Sequence, residues 1–136
     1  MKPGPFNIGE AAAASGISAK MIRHYEETGL ISKASRSLSG YRLYQEKDIH
    51  LLRFIRHARD LGFSIKQIAD LLNLWLDQHR SSSKVKAVAL SHIVELEEKI
   101  RQMQLMKAEL ERLAHSCQGD HRPDCPILDS LAGQKS

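Results

Sequence analysis

Aromatic side chains are scarce in this chain: Phe, Trp and Tyr together account for 5% of its 136 residues. Large sheets draw on β-branched and aromatic residues, so a sandwich or barrel is disfavoured. The apolar content leans instead on Leu, Ile and Ala, which favour helices. No apolar run approaches the roughly 20 residues that span a bilayer. The opening "MKPGPFNIGE" carries one lysine and then no continuous apolar region, so neither a membrane span nor a secretory leader is expected, and the expected location is cytoplasmic. Cysteine is nearly absent too. Cys117 and Cys125 are the only two, and a disulfide does not readily persist in a reducing compartment. They read as free, metal-binding or catalytic thiols. A thiol redox enzyme would want a C-x-x-C pair or a neighbouring base; the seven-residue gap and the lack of an α/β pattern argue against it. At this length the chain can bury one core, as a single domain or a small head with an appended element.

Charge is distributed unevenly. Met1 to Trp75 holds eleven Lys or Arg against seven Asp or Glu, and Leu76 to Ser136 holds nine against nine. The whole net charge of +4 therefore lies in the first half, which suits a polyanionic partner.

The segment "NIGEAAAASG" pairs a capping Asn7 with a terminating Gly16, and Ser18 caps "AKMIRHYEETG", which ends at Gly29. Two short helices joined by "SGIS" form a helix-turn-helix. The serine-rich "LISKASRSLSGYRLYQ" with Gly40 at a turn position predicts a small hairpin, hence a winged helix-turn-helix. A helix opening near Asp48 buries Ile49, Leu52, Ile55 and Leu61, and another capped by Ser64 buries Ile65, Ile68, Leu71, Leu72 and Trp75. From about Ser83 to Ala114 there is neither Gly nor Pro. Apolar residues recur there at Ala89, Ile93, Leu96, Ile100, Met103, Leu110 and Ala114, broken only by Lys107, in the alternating three-and-four spacing of a coiled-coil seam. With no second long helix in the chain to pair with, the seam predicts a homodimer, parallel or antiparallel; the alternative is that the stripe packs on the chain's own head.

On the second helix Lys20, Arg23, His24 and Tyr25 are expected on or near the exposed side. Arg36, Tyr41, Arg42 and Tyr44 put basic and aromatic groups on the hairpin beside it. Helix and wing would touch one face of a double-stranded DNA. Each residue alone also fits a solvated surface.

"NIGEAAAASGISAKMIRHYEETGLI", followed by "RSLSGYRLYQEKDIHLLRFIRHARDLGFSIKQIADLL", resembles the MerR family of transcription regulators, and "CQGDHRPDCPI" resembles the metal-binding loop of its copper-efflux (CueR) subgroup. The resemblance implies a mostly α fold: a winged helix-turn-helix DNA-binding domain over residues 6–75, a linker and long antiparallel dimerisation helix over 76–114, and a metal-binding loop, short helix and tail over 115–136. It also implies a metal-responsive activator, not an enzyme. Such an activator bends and untwists a promoter with an overlong spacer so that RNA polymerase engages both elements, usually at genes of copper export or detoxification.

Cys117 and Cys125, with Gly119 and Pro123 between them, can form a tight loop that turns two sulfurs together. Two thiolates suit a soft monovalent ion, Cu(I), Ag(I) or Au(I). A structural zinc site would need His115 or His121 as well. His121 would have to fold inward past Asp120 and Arg122, and His115 suits the C-terminal end of the long helix. The family's divalent-ion sensors carry a cysteine at the start of the dimerisation helix, whereas its monovalent-ion sensors carry a serine; Ser82 aligns with that position, although Ser81, Ser82 and Ser83 also read as helix caps. A cytosolic Cu(I) chaperone or storage module would use the same loop, but has no need of a basic head.

Overall fold

The computed structural model describes residues 4–133; the last three residues of the expected 115–136 segment lie outside them. The chain divides into two units, Met1–Val85 and Lys86–Ser136.

In the first unit, helix α1 (Ile8–Ser15) starts at a complete capping box. The Glu10 N–H donates to Asn7 Oδ1 at 2.8 Å, and the Asn7 N–H donates to Glu10 Oε1 at 3.0 Å, satisfying two donors that a helix start leaves orphaned. It ends at Gly16, whose φ of +75° suits a residue without a Cβ. Helix α2 (Ala19–Glu27) begins at Ser18, whose hydroxyl accepts from the Met21 N–H at 3.2 Å. Strands β1 (Ser35–Arg36) and β2 (Arg42–Leu43) pair antiparallel, Ser35 opposite Leu43 and Arg36 opposite Arg42. Phe6 extends this wing through an antiparallel bridge to Tyr44. Helices α3 (Glu46–Asp60) and α4 (Ile65–Leu76) complete the unit. Helix α3 packs on both α1 and α4.

The core gathers Ala11 of α1, Ile22 and Tyr25 of α2, Tyr44 beside the wing, Ile49, Leu52 and Ile55 of α3, and Ile68 and Leu72 of α4. The i, i+3, i+6 spacing of Ile49, Leu52 and Ile55 makes one stripe along α3. Three arginines of α3, beside that stripe, tie the helices. Arg53 Nε donates to the Ala14 carbonyl at 2.9 Å and Arg56 Nη1 to the Gly16 carbonyl at 2.8 Å, at the end of α1 where carbonyls lack helical partners. Arg59 Nη1 donates to the Tyr25 hydroxyl at 2.7 Å. All three acceptors are neutral.

Two of the expected buried stripes are shorter than their periodicity suggests. Leu61 is exposed, because it is the C-cap of α3 and not its last turn. On α4 only Ile68 and Leu72 are fully buried and Leu71 is half-buried. Ile65 and Trp75 are 45% and 56% exposed; Trp75 instead lies against Phe54, ring centroids 5.9 Å apart, and under the Arg80 guanidinium at 5.5 Å.

Helix α5 runs from Ser82 to Ser116, 35 residues, a rod of about 50 Å. Along it only His92 and Leu113 are buried. Exposed flanks carry ion pairs three or four residues apart, Glu98 with Arg101, Lys107 with Glu111 and Glu109 with Arg112. Beyond the turn at Gly119, where φ is +66°, lies the short helix α6 (Pro126–Leu131), with Pro126 in its first turn, where the missing N–H costs nothing.

Candidate nucleic-acid interface and thiol pair

Lys20, Arg23 and His24 are exposed on α2, and their i, i+3, i+4 spacing sets them on one face. Ile22, Tyr25 and Glu26 repeat that spacing on the opposite face and are buried. Tyr25, expected among the DNA-facing residues, is therefore a core residue, 1% exposed, with its hydroxyl accepting from Arg59. Tyr44 is a second correction. It is 1% exposed, because its backbone is bridged to Phe6 and its hydroxyl donates to Glu26 Oε2 at 3.1 Å. Burial and then the Glu26 bond push its pKa up to about 12.

On the wing, Arg36 and Tyr41 are exposed. Arg36 Nη1 donates to the Gly40 carbonyl at 2.9 Å, which steadies the tip. Arg42 is half-buried and lies 3.2 Å from Glu26 Oε2, so its charge is already paired. The surface offered to an anion by the expected set thus reduces to Lys20, Arg23, His24, Arg36 and Tyr41. Sequence reasoning missed Glu26. The available signal was an acidic residue four positions after Ile22, on the apolar side of a helix whose other side is basic.

At the far end, α5 continues into Cys117, whose N–H donates to the Leu113 carbonyl at 3.1 Å. Cys125 is the N-cap of α6. The two half-buried thiols lie within hydrogen-bonding reach of each other. The pKa of Cys125 is held below the ordinary thiol value, first by the Leu128 N–H and further by the Ile127 N–H and the Cys117 thiol, against opposing desolvation and the Asp129 charge. These amides face the sulfur without closing a capping bond, so they remain able to stabilise a thiolate as it forms. The loop between the cysteines is held by Asp120, whose Oδ1 accepts from the Arg122 N–H at 3.0 Å and whose Oδ2 meets Arg122 Nη2 at 2.8 Å. That guanidinium keeps the Asp120 carboxyl below its usual range. His121, between those two partners, is exposed, as is His115 in the last turn of α5. Among the described residues no group of three or more His, Cys, Asp or Glu side chains could hold a metal ion. Two close soft donors, one biased toward its thiolate, suit a soft ion of low coordination number.

Ser82 is exposed in the first turn of α5. The cap there is Ser81, whose Oγ accepts from the Lys84 N–H at 3.4 Å and lies 2.9 Å from Ser83 Oγ.

No helix among the described residues is long and apolar enough to cross a membrane. The model of the MerR HTH family regulatory protein matches residues 6–75, and that described as MerR, DNA binding, matches residues 49–113. The chain is 60% identical over 126 residues to the HTH-type transcriptional regulator HmrR of Sinorhizobium medicae, covering 93% of this chain and 86% of that one. It is 42% identical over 127 residues to the HTH-type transcriptional regulator CueR of Salmonella typhimurium, covering 93% and 92%. Among solved structures, the transcription regulator PbrR691 of Ralstonia metallidurans in complex with lead(II) superposes with a TM-score of 0.77 at 31% identity, over 93% of this chain and 98% of that one. The winged head, the long helix and these matches over nearly the whole length agree: the chain belongs to the MerR family of transcription regulators.

Proposed function

We propose that this protein is a cytoplasmic, dimeric, heavy-metal-responsive activator that senses Cu(I), with Ag(I) and Au(I) as alternative inducers, and switches on promoters for copper efflux or detoxification. The observation that carries this reading is the thiol pair: Cys117 and Cys125 within hydrogen-bonding reach, with amide groups at the start of α6 lowering the pKa of Cys125. A relative of this chain is named for heavy-metal dependence, the heavy metal-dependent transcription regulator 2 of Rhizobium meliloti, 60% identical over 126 residues. As thiolates the two cysteines would hold a soft +1 ion. Ser82, in place of a third thiolate, disfavours divalent ions.

Residues 6–75 act as the DNA-binding domain, 76–114 as linker and dimerisation helix, and 115–136 as the sensing segment. The exposed apolar seam of α5 supports a two-fold dimer whose heads read the halves of a pseudo-palindromic operator. Ordering the loop and α6 is relayed along α5 to the heads. These bend and untwist the promoter so that RNA polymerase engages both of its elements. That deformation costs several kcal/mol, on the order of 1–6, which the helix and wing contacts offset.

Transcription in vitro from the protein's own upstream promoter, across Cu(I), Ag(I), Au(I), Zn(II) and Hg(II), tests the reading. Stimulation by the three monovalent ions alone is expected. Stimulation by Hg(II) or Zn(II) without Cu(I) would overturn the assignment of the ion. Absence of specific promoter binding in any metal state would favour a Cu(I) chaperone or storage module instead.

A further inference from the structure

We infer that Glu26 is a positioning residue for operator recognition: its buried carboxylate pins the wing to α2, so that the basic groups of both meet one duplex in a single register. The inference rests on the head binding promoter DNA. Glu26 belongs to α2, yet each of its oxygens serves the wing. Oε1 accepts from the Ala34 N–H at 3.1 Å, just before β1. Oε2 accepts from the Tyr44 hydroxyl at 3.1 Å and lies 3.2 Å from Arg42 Nε, at and just after β2. One carboxylate therefore grips both strands at their roots.

A two-residue ladder has little stability of its own, so the wing's orientation depends on what anchors it. An apolar residue could fill the same space without the cost of burying a charge. Two converging hydrogen bonds and the Arg42 charge on one carboxylate instead define a direction, which packing alone does not. The ion pair also withdraws Arg42 from the surface and leaves Arg36 and Tyr41 as the wing's contacts. A wing free to swing could touch phosphates but could not hold a duplex in a deformed shape.

The test uses the full-length protein with Glu26→Gln, which keeps the shape and two hydrogen-bonding atoms but removes the charge that holds Arg42. Glu26→Ala serves as the complete deletion, and the Gln variant carries the test if the Ala variant does not fold. Amide exchange at Ala34 is measured without DNA, and binding to the protein's own promoter and to a random duplex is measured across a salt series. In Glu26→Gln, Ala34 is expected to exchange about tenfold faster, and the promoter-to-random affinity ratio to fall about tenfold. Random-duplex binding is retained, with a salt slope steeper by about one as the freed Arg42 reaches a phosphate. A lower melting temperature with ratio and slope unchanged would mean a merely structural role and would overturn the inference, as would unchanged exchange at Ala34. Wild-type protein that failed to prefer its promoter would sink the regulator reading instead, and the DNA-free exchange separates the two failures.

Discussion

The head and the long helix treat their apolar residues in opposite ways. In the first unit Ile22, Ile49, Leu52, Ile55 and Ile68 are almost wholly buried by neighbours within the same unit. In the second, Leu90, Ile93, Val94, Ile100, Met103, Leu105, Met106 and Leu110 all stand exposed along α5. A monomeric protein rarely keeps so many large apolar side chains in water along one helix. The contrast teaches that the head specifies its own fold, whereas α5 is written for a surface the single chain does not contain, in keeping with a second copy.

The widest separation between the two regions is expected from the cysteines. Cys117→Ser or Cys125→Ser should abolish metal-dependent transcription while promoter binding by the head persists, measured by transcription and gel shift on the same preparations; loss of both would break the proposed division of labour. Next come the apolar residues. Leu52→Ala should cost about 2–5 kcal/mol in denaturant unfolding whatever the protein concentration, because it opens a cavity in a closed core. Ile100→Glu should leave the far-UV signal of the head intact and turn dimer into monomer in sedimentation, since a buried seam rejects an unpaired charge.

A smaller contrast lies between two glycines in the left-handed region. A Cβ on Gly16 would stand 1.8 Å from Arg56 Nη1, whereas one on Gly119 would meet nothing within 4 Å. Both alanine substitutions incur backbone strain of about 1–2 kcal/mol, but only Gly16→Ala also displaces the arginine that caps α1. Its melting temperature should fall further than that of Gly119→Ala. The finest effect is in alkaline solution. The folded head holds the Tyr44 proton more tightly than an unfolded chain, its pKa standing at about 12 against the ordinary tyrosine value of 10.0. That contribution is complete below pH 10 and is lost as the pH rises toward 12. Tyr44→Phe should make the fall in stability over that window shallower in a pH series of thermal melts.

The elements were legible because their signals are local. Asn7 with Glu10, Ser18, and Ser64 with Gln67 are capping patterns readable three residues at a time, and a 35-residue helix without Gly or Pro has few alternatives. Charge on α2 was legible only in part. Lys20, Arg23 and His24 lie outward as expected, but Tyr25 and Tyr44 carry both an apolar ring and a polar tip, so their composition fits a DNA contact and a core position equally. Periodicity likewise could not tell that Trp75, on the stripe of α4, stands beside Arg80 and Phe54 with more than half its surface exposed.

The sequence by itself determined the order of helices, the hairpin between them, the basic bias of the first half and the confinement of both thiols to one short segment, since each depends on residues close along the chain. Only tertiary structure decided that Glu26 reaches Ala34, Arg42 and Tyr44, and that Arg53, Arg56 and Arg59 serve α1 and α2. Those contacts join groups separated along the chain, and which of several chemically acceptable partners a polar side chain meets is settled by how the helices pack.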